Sequence, residues 1–111
     1  MSEMPTKTEA AVLTVDFEKL RGLLQTTSAQ LRSGDDAKGI ESLLSAMAEL
    51  EKLVEEDQNS RMPRIGLGRL LPALRTLYDL IRNQDMAGIA DLLEDVFCPM
   101  TGEWMKGSDG L

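Results

Sequence analysis

The stretch LRGLLQTTSAQLRSGDDAKGIESLL at residues 20–44 recurs in altered form as LLPALRTLYDLIRNQDMAGIADLL at residues 70–93. Each copy has the pattern of an amphipathic helix, a short polar turn containing aspartate, and a second amphipathic helix. The registers match at a spacing of about 50 residues after one deletion in the connection. Two such hairpins bury their apolar sides against each other. The repeat therefore predicts an all-α protein, an antiparallel up-down four-helix bundle built from two similar helical hairpins.

Apolar side chains recur at alternating spacings of three and four residues in each predicted helix, which places them on one helical side. Two prolines bear on where the helices begin and end. We expect Pro72 in the first turn of the third helix, where a missing N–H costs little. Pro99 predicts a kink in the fourth helix, or its end near Cys98. The four stripes are Leu13, Phe17, Leu20, Leu24, Thr27 and Leu31; Ile40, Leu43, Leu44, Met47, Leu50 and Val54; Leu67, Leu70, Leu71, Leu74, Leu77, Tyr78 and Ile81; and Ile89, Leu92, Leu93, Val96, Phe97, Met100 and Trp104.

The size of the chain indicates a single domain. Its 111 residues are enough for one hydrophobic core and too few for two. A hydrophobic fraction of 42% is near the globular average, and the low aromatic fraction of 4% with few β-branched residues favours helices over strands. We therefore predict one helical domain over residues 1–111, with flexible ends at 1–9 and 105–111 and a connection between the hairpins at 57–66.

The charge balance limits the classes of partner. A formal net charge of −7 argues against nucleic acid, because phosphate binding needs a basic surface. It argues against a membrane surface for the same reason, and no apolar run approaches the roughly 20 residues that a bilayer span needs. The chain has a single cysteine, so it has no internal disulfide to form. These observations predict a cytoplasmic protein that binds neither nucleic acid nor membranes.

The chain offers few residues for catalysis. Histidine is absent, which excludes Ser-His-Asp and Cys-His arrangements and the histidine ligands of di-iron bundles. Asp91, Glu94 and Asp95 on the fourth helix are either a cation or acid–base site or a solvated face. Cys98 is either a reactive thiol or a small buried hydrophobic residue. The structural alternative is favoured in both cases, and we predict no enzyme activity, no metal site and no cofactor.

Four arginines are concentrated between residues 61 and 75, a segment without acidic residues. One hypothesis is that Arg61, Arg64 and Arg69 bind a phosphate, a carboxylate or an acidic segment of a partner. The alternative, which the sequence favours, is that the arginines pair with the acidic end of the second helix at 55–57. The three arginines remain a secondary candidate interaction site.

Phe97, Met100 and Trp104 form an apolar cluster around Pro99, near the end of the chain. They either close the core of the bundle or form an exposed patch that contacts a partner or a second copy. Burial of the Trp104 indole in the monomer distinguishes the two alternatives. These three residues are the leading candidates for an interaction site.

One segment resembles a known motif. Asp91-Leu92-Leu93-Glu94, followed by Pro99 and Trp104, has the spacing D-L-L-E-x4-P-x4-W. It resembles the run D-L-L-E-Y-E-L-x-P-x-L-x-x-W of small uncharacterised helical proteins of bacteria, although Asp95 replaces the aromatic residue and Val96 the second acidic residue. The resemblance covers about 14 residues. It implies a helical bacterial protein and brings no activity with it.

The function that these observations predict is a non-catalytic protein–protein interaction or adaptor module, with a protein partner or a second copy in a homodimer. The alternative is a binder of an amphipathic helix, similar to flagellar and type III secretion chaperones. Those chaperones are also small, acidic and helical, so the likeness rests on size, charge and fold class. A binder of this kind needs an open apolar groove.

Overall fold

The structure, a computed structural model, describes the backbone of residues 5–106 and the side-chain surroundings of residues 15–106. The predicted flexible ends lie partly outside this range, while Pro5 to Glu9 and Met105 to Lys106 are helical. The elements are α1 (Pro5–Arg32), α2 (Asp36–Gln58), α3 (Leu67–Arg82), α4 (Met86–Leu92), a π-helical turn (Leu93–Phe97) and α5 (Cys98–Lys106).

The described residues form four helical stretches, because α4, the π-helical turn and α5 follow one another without a break. The backbone of α1 lies close to α2 on one side and to α4, the π-helical turn and α5 on the other, and α3 lies close to α4. The predicted all-α bundle is confirmed. Its core contains Phe17, Leu20, Leu24, Leu31, Leu43, Ala46, Leu50, Leu53, Ile65, Leu70, Ala73, Leu77, Ile89, Ala90, Leu93, Phe97, Met100 and Trp104.

The two hairpins turn in the same way, bond for bond. In the first, the N–H of Asp35 donates to the carbonyl of Gln30, and in the second the N–H of Asp85 donates to that of Leu80. The aspartate then caps the next helix, since its carboxylate accepts the backbone N–H three residues later in both turns. The polar turns containing aspartate therefore end one helix and begin the next, as predicted.

The structural repeat has a different register from the one that the sequence suggests. The N–H that donates to the carbonyl of Asp35 belongs to Gly39, and the N–H that donates to that of Asp85 belongs to Ile89. Gly39 thus corresponds to Ile89, and the predicted deletion does not exist. Gly39 is needed for another reason, since a Cβ at this position would overlap the side chain of Leu31 across the turn.

Instead, the second half has one residue more than the first in its second helix, and the π-helical turn accommodates that residue. The N–H of Cys98 donates to the carbonyl of Leu93, five residues back instead of four. This turn comes directly before Pro99, whose ring would otherwise crowd the carbonyl four residues earlier. Of the two predicted outcomes at Pro99, the end of the helix near Cys98 is wrong, because the helical stretch continues to Lys106. The predicted disturbance takes the form of the π-helical turn directly before Pro99.

Pro72 lies deeper in its helix than predicted. α3 begins at Leu67, with Gly66 as its N-cap, so Pro72 falls in the second turn. The carbonyl of Gly68 consequently has no N–H donor four residues ahead. Gly68 is exposed, so water can satisfy that carbonyl.

The matched turns give a paired prediction on stability. Gly34 and Gln84 occupy the same position, with φ of 87° and 56°. A residue with a side chain is strained there by about 1–2 kcal/mol, and glycine costs roughly 0.4–1 kcal/mol in unfolded-chain entropy. We expect Gln84→Gly to raise the free energy of unfolding by about 0.5–1 kcal/mol and Gly34→Gln to lower it, measured by urea denaturation. Equal effects of the same sign would contradict the prediction.

Candidate functional site

Phe97, Met100 and Trp104 are core residues in this structure. Their exposed fractions are 2%, 2% and 5%. The Trp104 ring lies against that of Phe17 on α1, with centroids 5.8 Å apart and ring planes at 53°. These side chains therefore close the bundle, as one of the two alternatives proposes, and they do not form a surface patch in the monomer.

The arginine segment is divided among different surroundings. The Arg69 guanidinium donates to Glu103 on α5 over 2.6 Å, with both side chains more than half exposed. Arg61 is exposed, and Arg64 is partly buried. Exposed ion pairs of this kind contribute little to stability. Arg69 therefore meets an acidic residue of α5, and not the acidic end of α2 that the sequence suggests.

Asp57 is the acidic residue that organises the connection between the hairpins. Its side chain is fully buried and accepts the backbone N–H groups of Arg64 over 2.8 Å and of Ile65 over 2.9 Å. The Ser60 hydroxyl donates to the Asp57 carbonyl over 2.7 Å. Asp57 thus holds the segment at 59–66 against the end of α2 by bonds to its backbone.

The carboxylates of the fourth helical stretch are tied to α1. The Arg32 guanidinium donates to Glu94 over 2.7 and 2.9 Å and to Asp91 over 2.6 Å, and the hydroxyl of the buried Ser28 also donates to Glu94. Hydrogen bonds from Arg32 and then from Ser28 lower the pKa of Glu94 to about 2, and Glu94 with Asp91 raises the pKa of Arg32. The sequence shows these residues far apart, so only the topology brings them together.

This charged cluster gives a prediction on acid stability. The pKa of Glu94 is lower in the folded chain, about 2, than its ordinary value of 4.5. The stabilisation is therefore complete above pH 4.5 and is lost as the pH falls towards 2. We expect wild type to exceed Glu94→Gln in free energy of unfolding at neutral pH and the difference to shrink below pH 4.5. Asp95→Asn, at a neighbouring exposed carboxylate, is the control, and a pH-independent difference for Glu94→Gln would contradict the assignment.

Cys98 is the remaining candidate for chemistry that the sequence offers. Cys98 is partly buried, and desolvation raises the pKa of its thiol, which lowers its reactivity at neutral pH. Within residues 15–106, histidine, cysteine, aspartate and glutamate side chains form no group of three that could hold a metal ion. No helix in the described part of the chain is long and apolar enough to span a bilayer.

A second apolar stripe runs beside the core stripe on both α2 and α3. Three of its side chains, counted above among the buried stripes, are more than half exposed: Leu44 (63%), Leu71 (54%) and Tyr78 (55%). The others are partly buried at the edge of the core. We call this surface the α2–α3 face; it consists of Ile40, Leu44, Met47, Val54, Leu67, Leu71, Leu74, Tyr78 and Ile81.

Two hydrogen bonds show which way these stripes point. Ser42, on one flank of the α2 core stripe, donates to Gln30 of α1 over 2.6 Å, and residues 40, 44 and 47 lie on the opposite flank. Arg69, on the matching flank of α3, donates to Glu103 of α5. Both apolar stripes thus turn away from α1 and α5. The backbones of α2 and α3 do not approach each other as closely as those of α1 and α2.

The outer edges of this face are charged. Glu41 and Glu55 follow the stripe of α2, and Arg75 and Arg82 occupy the matching positions on α3. All four residues are exposed. The exposed Glu51 stands in the α2 stripe between Met47 and Val54, and Arg82 lies 3.7 Å from Asp79 of its own helix. The α2–α3 face is therefore mainly apolar, with acidic residues on the α2 side and both signs of charge on the α3 side.

A comparison with protein families, curated protein sequences and solved structures finds no match to this chain. The resemblance of the segment from Asp91 to Trp104 to bacterial helical proteins stays a prediction.

Proposed function

We propose that this chain is a non-catalytic protein–protein interaction module, an adaptor of the bacterial cytoplasm, whose contact surface is the α2–α3 face. The observation that carries the proposal is the exposure of Leu44, Leu71 and Tyr78 in two apolar stripes, of which the one on α2 is interrupted by Glu51. Grouped apolar side chains rimmed by polar residues mark interaction sites. Tyrosine is also enriched where proteins meet. The contact surface thus lies elsewhere than at Trp104.

The titratable groups support a role without catalysis. Acid–base chemistry needs carboxylates or thiols with pKa values near the working pH. Glu94 has a pKa of about 2 in its bonds to Arg32 and Ser28, and burial raises the pKa of the Cys98 thiol. Neither group has a pKa near neutral pH. We therefore assign these groups to the stability of the fold.

The occupant that suits this face is helical. Apolar side chains spaced four and three residues apart match the seam of a helix–helix contact. Two neighbouring helices that expose such seams also resemble the grooves that take up an amphipathic helix. This feature favours the second candidate function, a chaperone-like binder of an amphipathic helix from another protein.

A photo-crosslinking experiment tests the proposal. The photoreactive residue p-benzoylphenylalanine replaces Leu44 or Leu71 in the full-length chain, expressed in living bacteria, and Gln25 on the exposed side of α1 serves as the control position. We expect discrete protein adducts from positions 44 and 71 and not from 25, with mass spectrometry locating the crosslink in an amphipathic helix. Adducts that are absent at 44 and 71, or equally frequent at 25, would contradict an interaction through this face.

A further inference from the structure

We infer that the occupant of the α2–α3 face is an amphipathic helix of another protein, with lysine or arginine on the flank that lies over α2. The inference rests on the proposed function and names the chemistry of its partner. It is supported by the helical surroundings of the face, by the glutamates of α2 and by the charge at the carboxyl end of that helix.

The surroundings of the face favour a helical occupant. Residues 5–106 contain helices and turns and no strand. An extended partner segment gains affinity by pairing its backbone with the edge of a sheet, and on an apolar helical surface its N–H and C=O groups would lose water without gaining partners. A helix satisfies its own backbone groups. The α3 stripe from Leu67 to Ile81 steps by four, three, four and three residues, which matches the apolar side of a second helix.

The α2 side of the face is acidic. Glu51 stands within the apolar stripe, between Met47 and Val54, while Glu41 and Glu55 border it, and all three glutamates are exposed. Within residues 15–106 none of the three forms an ion pair. An apolar partner side chain against Glu51 would remove water from its charge without replacing it, which is costly. A lysine or arginine at that place supplies the opposite charge, and its alkyl stem packs on the apolar neighbours.

The carboxyl end of α2 adds to this negative charge. The last turn of α2 contains Glu55 and no basic residue. The aligned peptide dipoles of a helix place about half a negative elementary charge at its carboxyl end, where cations are stabilised. A basic side chain of the partner near Glu55 therefore meets the carboxylate and the helix end together.

The α3 side of the face sets a different requirement. It carries the exposed Arg75 and Arg82, and the guanidinium of Arg82 lies 3.7 Å from the carboxylate of Asp79 on the same helix. This side therefore has little net charge to balance. The two flanks of the partner helix consequently differ, with basic residues over α2 and neutral or few acidic residues over α3.

Two synthetic helices of about 18 residues, roughly five helical turns, test the inference. Both carry leucine at spacings of three and four residues, and their polar positions are lysine in one peptide and glutamate in the other. Fluorescence anisotropy of the labelled peptides measures binding to the purified full-length chain at about 0.15 M salt, where charges more than about 8 Å apart are largely screened. We expect the wild-type chain to bind the lysine peptide at least about tenfold more tightly than the glutamate peptide.

Charge reversal locates the origin of this preference. Glu51→Lys with Glu55→Lys should make the glutamate peptide the tighter ligand, because the α2 side of the face then carries the opposite charge. Glu18→Lys with Glu56→Lys makes the same change in net charge at exposed positions outside the face. This control should keep the lysine peptide at least about fivefold ahead, since the altered charges are screened from the bound peptide.

The apolar contact has its own variant. Leu44→Gln with Leu71→Gln removes two exposed apolar side chains without changing the charge. It should weaken binding of the lysine peptide about tenfold, since their apolar area is then no longer buried by the peptide. All the altered residues are exposed, and far-UV circular dichroism verifies that every variant is folded.

Four results in the peptide experiment would each overturn the inference. Neither peptide binds with a dissociation constant below about 1 mM, or the glutamate peptide binds as tightly as the lysine peptide. The control reversal removes the preference as completely as the reversal at positions 51 and 55, or the leucine variant binds the lysine peptide as well as wild type does. Photo-crosslinking of positions 44 and 71 to a second copy of this chain would overturn it too.

The crosslinking experiment separates this failure from failure of the proposed function. If positions 44 and 71 form discrete protein adducts while the peptide experiment fails, the face is an interaction surface whose partner lacks a basic helix. If those positions form no adduct either, the proposed function fails as well.

Discussion

Replacing Trp104 by alanine is expected to lower the free energy of unfolding by about 4 kcal/mol. The indole is 5% exposed and lies against the Phe17 ring on α1. Its removal forfeits a large apolar area and leaves a cavity between the first and last helices of the bundle, which surrounding side chains fill only in part. A loss of this size is a large share of the stability of an ordinary small domain.

Urea denaturation followed by circular dichroism at 222 nm measures the effect, because the variant lacks its only tryptophan. Trp104→Phe is the matched control and should retain most of the stability, since it keeps an aromatic ring against Phe17. In wild type at low micromolar concentration, the Trp104 emission should already be shifted to the blue. A cost below about 1 kcal/mol for Trp104→Ala, or an emission typical of exposed indole, would show that this residue is not part of the core.

Replacing Asp57 by alanine is expected to lower the free energy of unfolding by about 3 kcal/mol. The carboxylate is fully buried and accepts the N–H groups of Arg64 and Ile65. Alanine leaves both donors without an acceptor, and Ile65 is itself in the core. An unpaired buried N–H costs more than the net gain from an ordinary hydrogen bond, so the connection between the hairpins loses its anchor.

Two variants define this effect. Asp57→Asn keeps one acceptor oxygen and should cost less than alanine. Glu56→Ala removes the neighbouring carboxylate, which is exposed, and should change stability by less than about 0.5 kcal/mol. Amide hydrogen exchange should show faster exchange of the Ile65 N–H in Asp57→Ala. If Asp57→Ala and Glu56→Ala were equally stable, the buried carboxylate would have no structural role.

The sequence predicted the architecture because that architecture follows from local patterns. Apolar spacings of three and four residues locate the helices, and each polar turn needs only a residue with positive φ and an aspartate cap. The exposed second stripe was not predicted. Spacing alone placed Leu44, Leu71 and Tyr78 with the core, although a helix of this bundle buries only a narrow part of its circumference.

The charged residues were harder to assign, for two physical reasons. Arg32 and Glu94 are 62 residues apart in the sequence. Their pairing therefore depends on how α1 packs on the fourth helical stretch. Asp57 was expected to attract guanidinium groups, whereas its carboxylate accepts backbone N–H groups. Every residue except proline has a backbone N–H donor, so composition and spacing do not indicate which donors a buried carboxylate will bind. The π-helical turn could not be predicted from the sequence either, because one inserted residue changes the apolar spacing in the same way as a shift of register between the two halves.

The contact between α1 and the end of the chain has a consequence for synthesis. Phe17 emerges from the ribosome well before Trp104, whose ring lies against it. The hairpin of α1 and α2 can close on its own local contacts, but shielding Phe17 also requires a contact with α5, which is far away in sequence. A nascent chain, or any product that ends before α5, thus leaves an aromatic side chain of the core in contact with water. Docking of α5 on α1 therefore completes the shielding of Phe17 from water.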